Sequence, residues 1–224
     1  MEKFSVIIPT IWVGTKLTEM LKRLYACEQV GEVILINNAK DKTPDFERNE
    51  KLLYVEPDQN IFVNPAWNMG VRLAKYNYII NTQDDVLFNV DNLIQFINHI
   101  EKNGYNLKDL GLIGMHLDNF YMESANEHEV ELINLDPEKG GGWACCLIYH
   151  KQNWKHIPET IKIYYGDDFL KIFTRPILQI KGFPVETKMS STADTSVEWV
   201  KQITDNDSIE WQKILAEWQN YQSA

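Results

Sequence analysis

The sequence predicts an α/β protein built on a mostly parallel central sheet flanked by helices, and three observations predict it. Apolar runs of strand length recur along the first hundred residues, closed by proline or polar residues. Between them apolar residues fall at helical spacing, so strand and helix alternate as in βαβ units. No repeat, low-complexity tract or Gly/Ser/Pro linker divides the 224 residues, which predicts a single domain over 1–224, with parts at 1–104, 105–194 and 195–224.

Phe4 to Ile8 reads as the first strand, closed by Pro9, and Val33 to Ile36 as the second, closed by Asn37-Asn38. Leu17, Met20, Leu21 and Leu24 place a helix between them. Leu52 to Val55 is a third strand, followed by a helix with Asn64 as N-cap and Pro65 at its first position. Tyr78 to Asn81 is the next strand. A turn with Asp84-Asp85 comes after it, then a helix with Leu93, Phe96, Ile97 and Ile100 on one face that stops near Gly104. Beyond it the alternation loosens. Leu110 to Met115, Val130 to Leu135, Trp143 to Tyr149 and Ile177 to Ile180 read as strands, mixed in direction, with a helix from near Asp167. Ser208 to Tyr221 is an amphipathic helix with Trp211, Leu215 and Trp218 on one side, packed on the core or, alternatively, forming a homodimer contact.

Composition narrows the classes. Hydrophobic residues at 44%, charged at 24% and aromatic at 12% exclude disorder, collagen and coiled coil. Lys plus Arg number 22 against 32 Asp plus Glu, and eight of those acids lie between Asp109 and Glu138 without a Lys or Arg, leaving 24 acids against 22 bases elsewhere. A basic footprint for nucleic acid or anionic membrane is missing, so duplex nucleic acid is not an expected partner. Cys27, Cys145 and Cys146 form neither a disulfide framework nor a metal pattern, which predicts a reducing, cytoplasmic setting. The first residues lead straight into a strand without a basic, then apolar, leader. No apolar run reaches transmembrane length, and a soluble protein is expected. None of the five histidines sits in a metal-spaced or triad-like pattern.

Four clusters fall at the C-terminal ends of predicted strands, where open parallel sheets bind ligands. Pro9-Thr10 with Asn37-Asn38 can offer hydrogen bonds to a nucleotide base, or can be turn residues only. In IINTQDDVLF, residues 79–88, adjacent carboxylates repel and suggest a cation such as Mg²⁺ or Mn²⁺; a helix-capping role is the structural alternative. GGGWACCLIY, residues 140–149, lets backbone approach a ligand or acts as a hinge. YYGDDFL, residues 164–170, offers a general base beside aromatic walls, or simply carboxylates favoured by a helix N-terminus.

In order, these clusters resemble glycosyltransferases of the GT-A fold, in particular family 2-type enzymes. The resemblance runs from FSVIIPT through EVILINN and NIFVNPAWNMGVRLAKYNYIINTQDDV to GGGWACCLIY and YYGDDFL, with Asn68, Ala74, Tyr78-Ile79 and Asp84-Asp85 in the most specific segment. It implies a donor site in the first part of the chain, with Pro9, Thr10 and Asn37 or Asn38 at the nucleotide, an amide standing where the family has an acid. Asn68, Arg72, Asp84, Gly141, Gly142, Trp143 and Lys188 are the further donor-site candidates. The metal motif maps onto Asp84 and Asp85, Asp85 as the direct ligand of Mn²⁺ or Mg²⁺, with Thr82 and Gln83 where its first acid would be. Asp167 takes the place of the catalytic base with Asp168 behind it, and Gly166 stands where the family has Glu. No His comes after His156, so Glu186, Lys188 or hydroxyls replace the late-loop His of many relatives.

The resemblance implies an inverting transfer from a nucleoside-diphosphate sugar to an acceptor hydroxyl on a glycan, lipid-linked sugar or protein. The rivals are a catalytically silent nucleotide-sugar-binding protein, motivated by the lost Glu and His, and a transferase that modifies nucleic acid bases.

Overall fold

The computed structural model describes residues 2–122, 130–135, 143–187 and 197–222. Its strands are β1 (Phe4–Thr10), β2 (Val30–Asn37), β3 (Leu52–Val55), β4 (Tyr78–Thr82), β5 (Val86–Leu87), β6 (Leu112–Met115), β7 (Glu131–Asn134), β8 (Cys146–His150), β9 (Ile177–Lys181) and β10 (Glu186–Thr187). The helices are α1 (Leu17–Ala26), α2 (Val63–Leu73), α3 (Val90–Lys102), α4 (Gly166–Phe173) and α5 (Glu198–Gln222).

Eight strands form the main sheet in the order β3-β2-β1-β4-β8-β6-β9-β7, and β5 with β10 makes a small antiparallel pair. The first four strands run parallel. β8 runs antiparallel to both β4 and β6, β9 is parallel to β6, and β7 is antiparallel to β9. The predicted α/β architecture with a mixed second half is therefore the observed one. After β1, the chain builds outward through β2 and β3, then returns to place β4 on the other side of β1. This reversal is the switch point at which open α/β sheets leave a crevice.

The sheet is buried on both faces. Leu17, Met20, Leu21 and Leu24 of α1 and Leu93, Ile94, Ile97 and Ile100 of α3 cover one face with Val6, Ile8, Val33 and Ile80. Ala66, Trp67 and Val71 of α2, with Leu170 of α4 and Trp211 of α5, cover the other with Ile7, Ile34 and Ile79. Each fully buried aliphatic side chain contributes about 2 kcal/mol to this core.

Several boundaries differ from the sequence reading. β1 continues through Pro9 because its pairing with β4 ends at Ile7; Pro9 lies only beside β2, so no bond to β4 is lost there. α2 is capped by Phe62 and contains Asn64, whose backbone N–H donates to Lys162 O at 3.1 Å instead of starting the helix. Residues 143–145 form a 3₁₀ turn ahead of β8, and α5 begins ten residues before the predicted helix. Among the described residues no helix is long and apolar enough to cross a membrane. Cys27, Cys145 and Cys146 are buried, unpaired thiols, and burial pushes all three pKa values up.

Candidate active site

A cavity of about 400 Å³ opens at the switch point. It is lined by Pro9, Thr10, Asn38 and Asp84 from the strand ends and by Asn64, Tyr164, Asp167 and Trp199 from α2, α4, α5 and the segment before α4. Thus the strand-end clusters at 9–10, 38 and 84 and the one at 164–170 face a single space.

On the sheet side a hydrogen-bond network fixes the loop after β1. Thr10 Oγ1 donates to Asp84 Oδ2 at 2.6 Å and accepts from the Trp12 backbone N–H at 2.8 Å. Backbone N–H groups of Ile11 and Gly14 also donate to Asp84, while burial raises its pKa from the ordinary value and Asp85 beside it adds to the rise. The loop lies so close that a Cβ on Gly14 would sit 2.3 Å from the Asp84 carbonyl oxygen. Asn38 accepts from Ile61 N–H at 3.1 Å through its side chain and donates its own N–H to Thr10 O at 2.8 Å, tying β2's end to β1's.

Asn37 is placed differently. Its side chain turns into a half-buried polar cluster: Oδ1 accepts from Trp12 Nε1 at 2.8 Å, and Nδ2 lies 2.6 Å from Thr43 Oγ1 and 2.8 Å from the Tyr54 hydroxyl. It supports the cavity from behind and does not line it. Asn68 likewise braces the 154–157 segment, donating to Ile157 O at 2.7 Å and accepting from Trp154 Nε1 and Ile157 N–H. Arg72 points away, 4.0 Å from Glu159. Trp143 is buried in the core with Nε1 donating to Leu178 O at 2.9 Å; its neighbours Ala144 and Cys145 reach the cavity instead. Asp85 is buried next to Asp84 outside the lining. Gly141, Gly142 and Lys188 lie outside the described residues. Of the eight acids between 109 and 138, Asp109, Asp118 and Glu131 are described, and none lines the cavity.

Asp167, which also lines the cavity, stands in the first turn of α4. Lys171 Nζ donates to its Oδ2 at 3.0 Å and lies 3.4 Å from Asp168 Oδ1. Burial pulls the Lys171 pKa down, but the two carboxylates outweigh it and hold the group charged. Asp168 is the more exposed acid and does not line the cavity; burial followed by repulsion from Asp167 raises its pKa. Gly166 explains the missing Glu: a Cβ there would fall 2.2 Å from Asn64 Oδ1, so no side chain fits against α2.

Among the described residues, three non-glycine residues take left-handed φ angles, Trp12 at 61°, Phe62 at 67° and Tyr165 at 59°. Each costs about 1–3 kcal/mol and persists where surroundings over-determine it. Phe62 lines the cavity, and Trp12 and Tyr165 directly follow the lining residues Ile11 and Tyr164. The strain concentrates where the chain holds the cavity's shape.

Sequence reasoning misses Asn60, Phe62, Asn64 and Trp67 as lining residues, and misses the contribution of the start of α5 through Trp199. The Asn-Pro at 64–65 is a visible signal, but one that reads as a cap alone. For Trp199 there is none, since polar residues 204–208 hide the helix that carries it.

A family model described as glycosyl transferase family 2 matches residues 5–157. Among solved structures, the chain is similar to S. aureus TarS 1-349, at 14% identity and a TM-score of 0.57 over 91% of this chain and 65% of that one. The same protein in complex with UDP-GlcNAc matches at 15% identity and a TM-score of 0.57, over 82% of this chain and 57% of that one. GalNAc-T7 with UDP, GalNAc and Mn²⁺ matches at 11% and 0.54, over 84% of this chain and 43% of that one. The shared fold is GT-A. The chain spans 65% or less of the length of these structures. No curated protein matches the sequence.

Proposed function

The chain belongs to glycosyl transferase family 2, and on that premise we propose that it moves a sugar from a nucleoside-diphosphate sugar to an acceptor hydroxyl with inversion. The observation that carries this reading is that the Thr10–Asp84 network and Asp167 line one and the same cavity. TarS is known with UDP-GlcNAc bound, which supports a nucleotide-sugar as the donor class.

Pro9, Thr10 and Asn38 take the nucleoside, and the diphosphate lies towards Asp84 and Asp85. The N-terminal turn of α2, which contributes Val63 and Asn64 to the lining, adds a favourable field for that charge. Asp167 accepts the proton of the acceptor hydroxyl as its oxygen bonds to the anomeric carbon. The bond from that carbon to the phosphate oxygen breaks on the opposite face, which inverts the centre. Lys171, whose Nζ donates to Asp167 Oδ2 at 3.0 Å, orients that carboxylate towards its task.

The described lining contains no Lys, Arg or His, so a cation for the leaving diphosphate must come from elsewhere. Among the described residues no three His, Cys, Asp or Glu gather into a metal cluster. Two adjacent carboxylates completed by phosphate oxygens and water nevertheless fit the thin ligand set of Mg²⁺ or Mn²⁺. Asp84, which lines the cavity, with Asp85 buried behind it, would hold such an ion, which would neutralise charge on the diphosphate when bound. The acidic lining favours a neutral or cationic acceptor: a glycan, a lipid-linked sugar or a protein.

A thermal-shift screen tests this. A nucleoside diphosphate should stabilise the protein more with Mn²⁺ than with chelator, and Asp85→Asn should remove that difference. Equal shifts with and without the ion would make the carboxylate pair purely structural. No shift with any nucleoside diphosphate would remove the donor reading.

A further inference from the structure

We propose that Asp207 of α5 is a positioning residue for the cavity wall that carries Asp167, acting through three backbone amides. Asp207 is fully buried, at 0% exposure. Its Oδ1 accepts from Lys162 N–H at 2.8 Å, and its Oδ2 accepts from Ile163 N–H at 2.7 Å and Tyr164 N–H at 2.9 Å. Three successive amides converge on one carboxylate only where the chain curls around it, so residues 162–164 form an anion-binding nest closed by a side chain from 43 residues downstream.

The carbonyl groups of the same segment are held from the other side. Asn64 Nδ2 lies 3.4 Å from Ile161 O and 3.3 Å from Tyr164 O, and Asn64 N–H donates to Lys162 O at 3.1 Å. The segment is therefore clamped between α2, through its carbonyls, and α5, through its amides. The next three residues are fixed in turn. Tyr165 is left-handed and stacks on Trp211, one helical turn after Asp207, with centroids 5.9 Å apart. Gly166 packs against Asn64, and Asp167 comes directly after it. Ile163, Tyr164 and Asp167 all line the cavity, to which α5 also contributes Trp199.

Without the carboxylate, three half-buried N–H groups would lose their acceptor and the segment would move to find others. Charge-assisted bonds to backbone amides are the stronger kind, which suits a single side chain to holding three consecutive residues. α5 lies beyond the residues 5–157 that the family model matches. The proposal rests on the glycosyltransferase reading only for what Asp167 does.

The test is Asp207→Asn in the full chain, which keeps size and sets an NH₂ donor against N–H donors. Amide exchange at 162–164 should accelerate by about tenfold or more. The Asp167 carboxyl resonance should move. With a donor and acceptor in hand, kcat should fall about a hundredfold while affinity for nucleoside diphosphate stays within about twofold. Asp207→Glu, which keeps the charge at a longer reach, should lie between wild type and Asn, and it carries the same measurements if the Asn variant does not fold. Faster exchange at 162–164 with an unmoved Asp167 resonance overturns the proposal. That readout needs no turnover, so failure of every nucleotide-sugar to bind wild type would remove the transferase reading without touching it.

Discussion

Asp167→Asn is expected to lower sugar transfer by about two or more orders of magnitude while changing donor affinity by no more than about twofold. The substitution preserves shape and the bond distance to Lys171 but removes the oxygen that takes the acceptor proton. Lys171, at 3.0 Å, would then face an amide, and the first turn of α4 would stay in place because Gly166 and Tyr165 are fixed by Asn64 and Trp211. Asp168→Asn should cost far less, since Asp168 lies outside the cavity lining and shares only the same lysine. Steady-state kinetics of both variants, with nucleotide affinity measured separately, decide the matter. A reversed ranking would move the base to Asp168, and unchanged turnover in both would leave the silent-binder rival as the better account.

The second large effect is expected at Asp84, on both stability and binding. Asp84→Ala leaves the Thr10 hydroxyl and the N–H groups of Ile11 and Gly14 without their acceptor in a buried setting. A buried donor left unsatisfied costs about 1–3 kcal/mol, and water entering the vacated space offsets part of the sum, so a net loss of about 2–4 kcal/mol is expected. At this chain length that is a fall in Tm of roughly 5–15 °C. Stabilisation by nucleoside diphosphate should vanish as well, because the same network sets the loop after β1 and holds Trp12 in its left-handed conformation. Differential scanning calorimetry with and without nucleotide reads both effects. An unchanged Tm with full nucleotide response would show that the loop holds itself.

Much of the fold is legible because its parallel core is written as continuous apolar runs. β1, β2 and β4 are buried on both faces, and α1 shows its buried stripe at Leu17, Met20, Leu21 and Leu24. Boundaries fail where tertiary partners decide them. Asn64 has the chemistry of an N-cap, yet the 161–164 segment occupies its side chain and backbone. α5 is half visible: Trp211, Leu215 and Trp218 mark its second half. Thr204, Asp205, Asn206, Asp207 and Ser208 are poor helix formers that suggest a loop. In the folded chain Thr204 Oγ1 donates to Val200 O at 2.8 Å and Asp207 is spent on the nest, so two of these side chains are satisfied within a helix.

The site divides in the same way. Thr10, Asn38, Asp84 and Asp167 are readable because each follows a strand or opens a helix at the sheet's C-terminal edge, and the cavity joins them. Asn37 and Asn38 cannot be separated from sequence. Adjacent residues at a strand end point to opposite sides, and which one faces the cavity is set by Trp12, Thr43 and Tyr54, which capture Asn37. Asn68 and Trp143 carry polar groups that look available in the sequence and are consumed by backbone partners in the core.

A crystal structure of the protein grown with a nucleoside-diphosphate sugar and Mn²⁺ tests the central claim most directly. The account predicts the nucleoside against Pro9, Thr10 and Asn38, the diphosphate beside Asp84 and Asp85, and the anomeric carbon facing Asp167 across the cavity. A nucleotide bound away from Thr10 and Asp84, or a sugar turned from Asp167 with its anomeric carbon out of that carboxylate's reach, would contradict it.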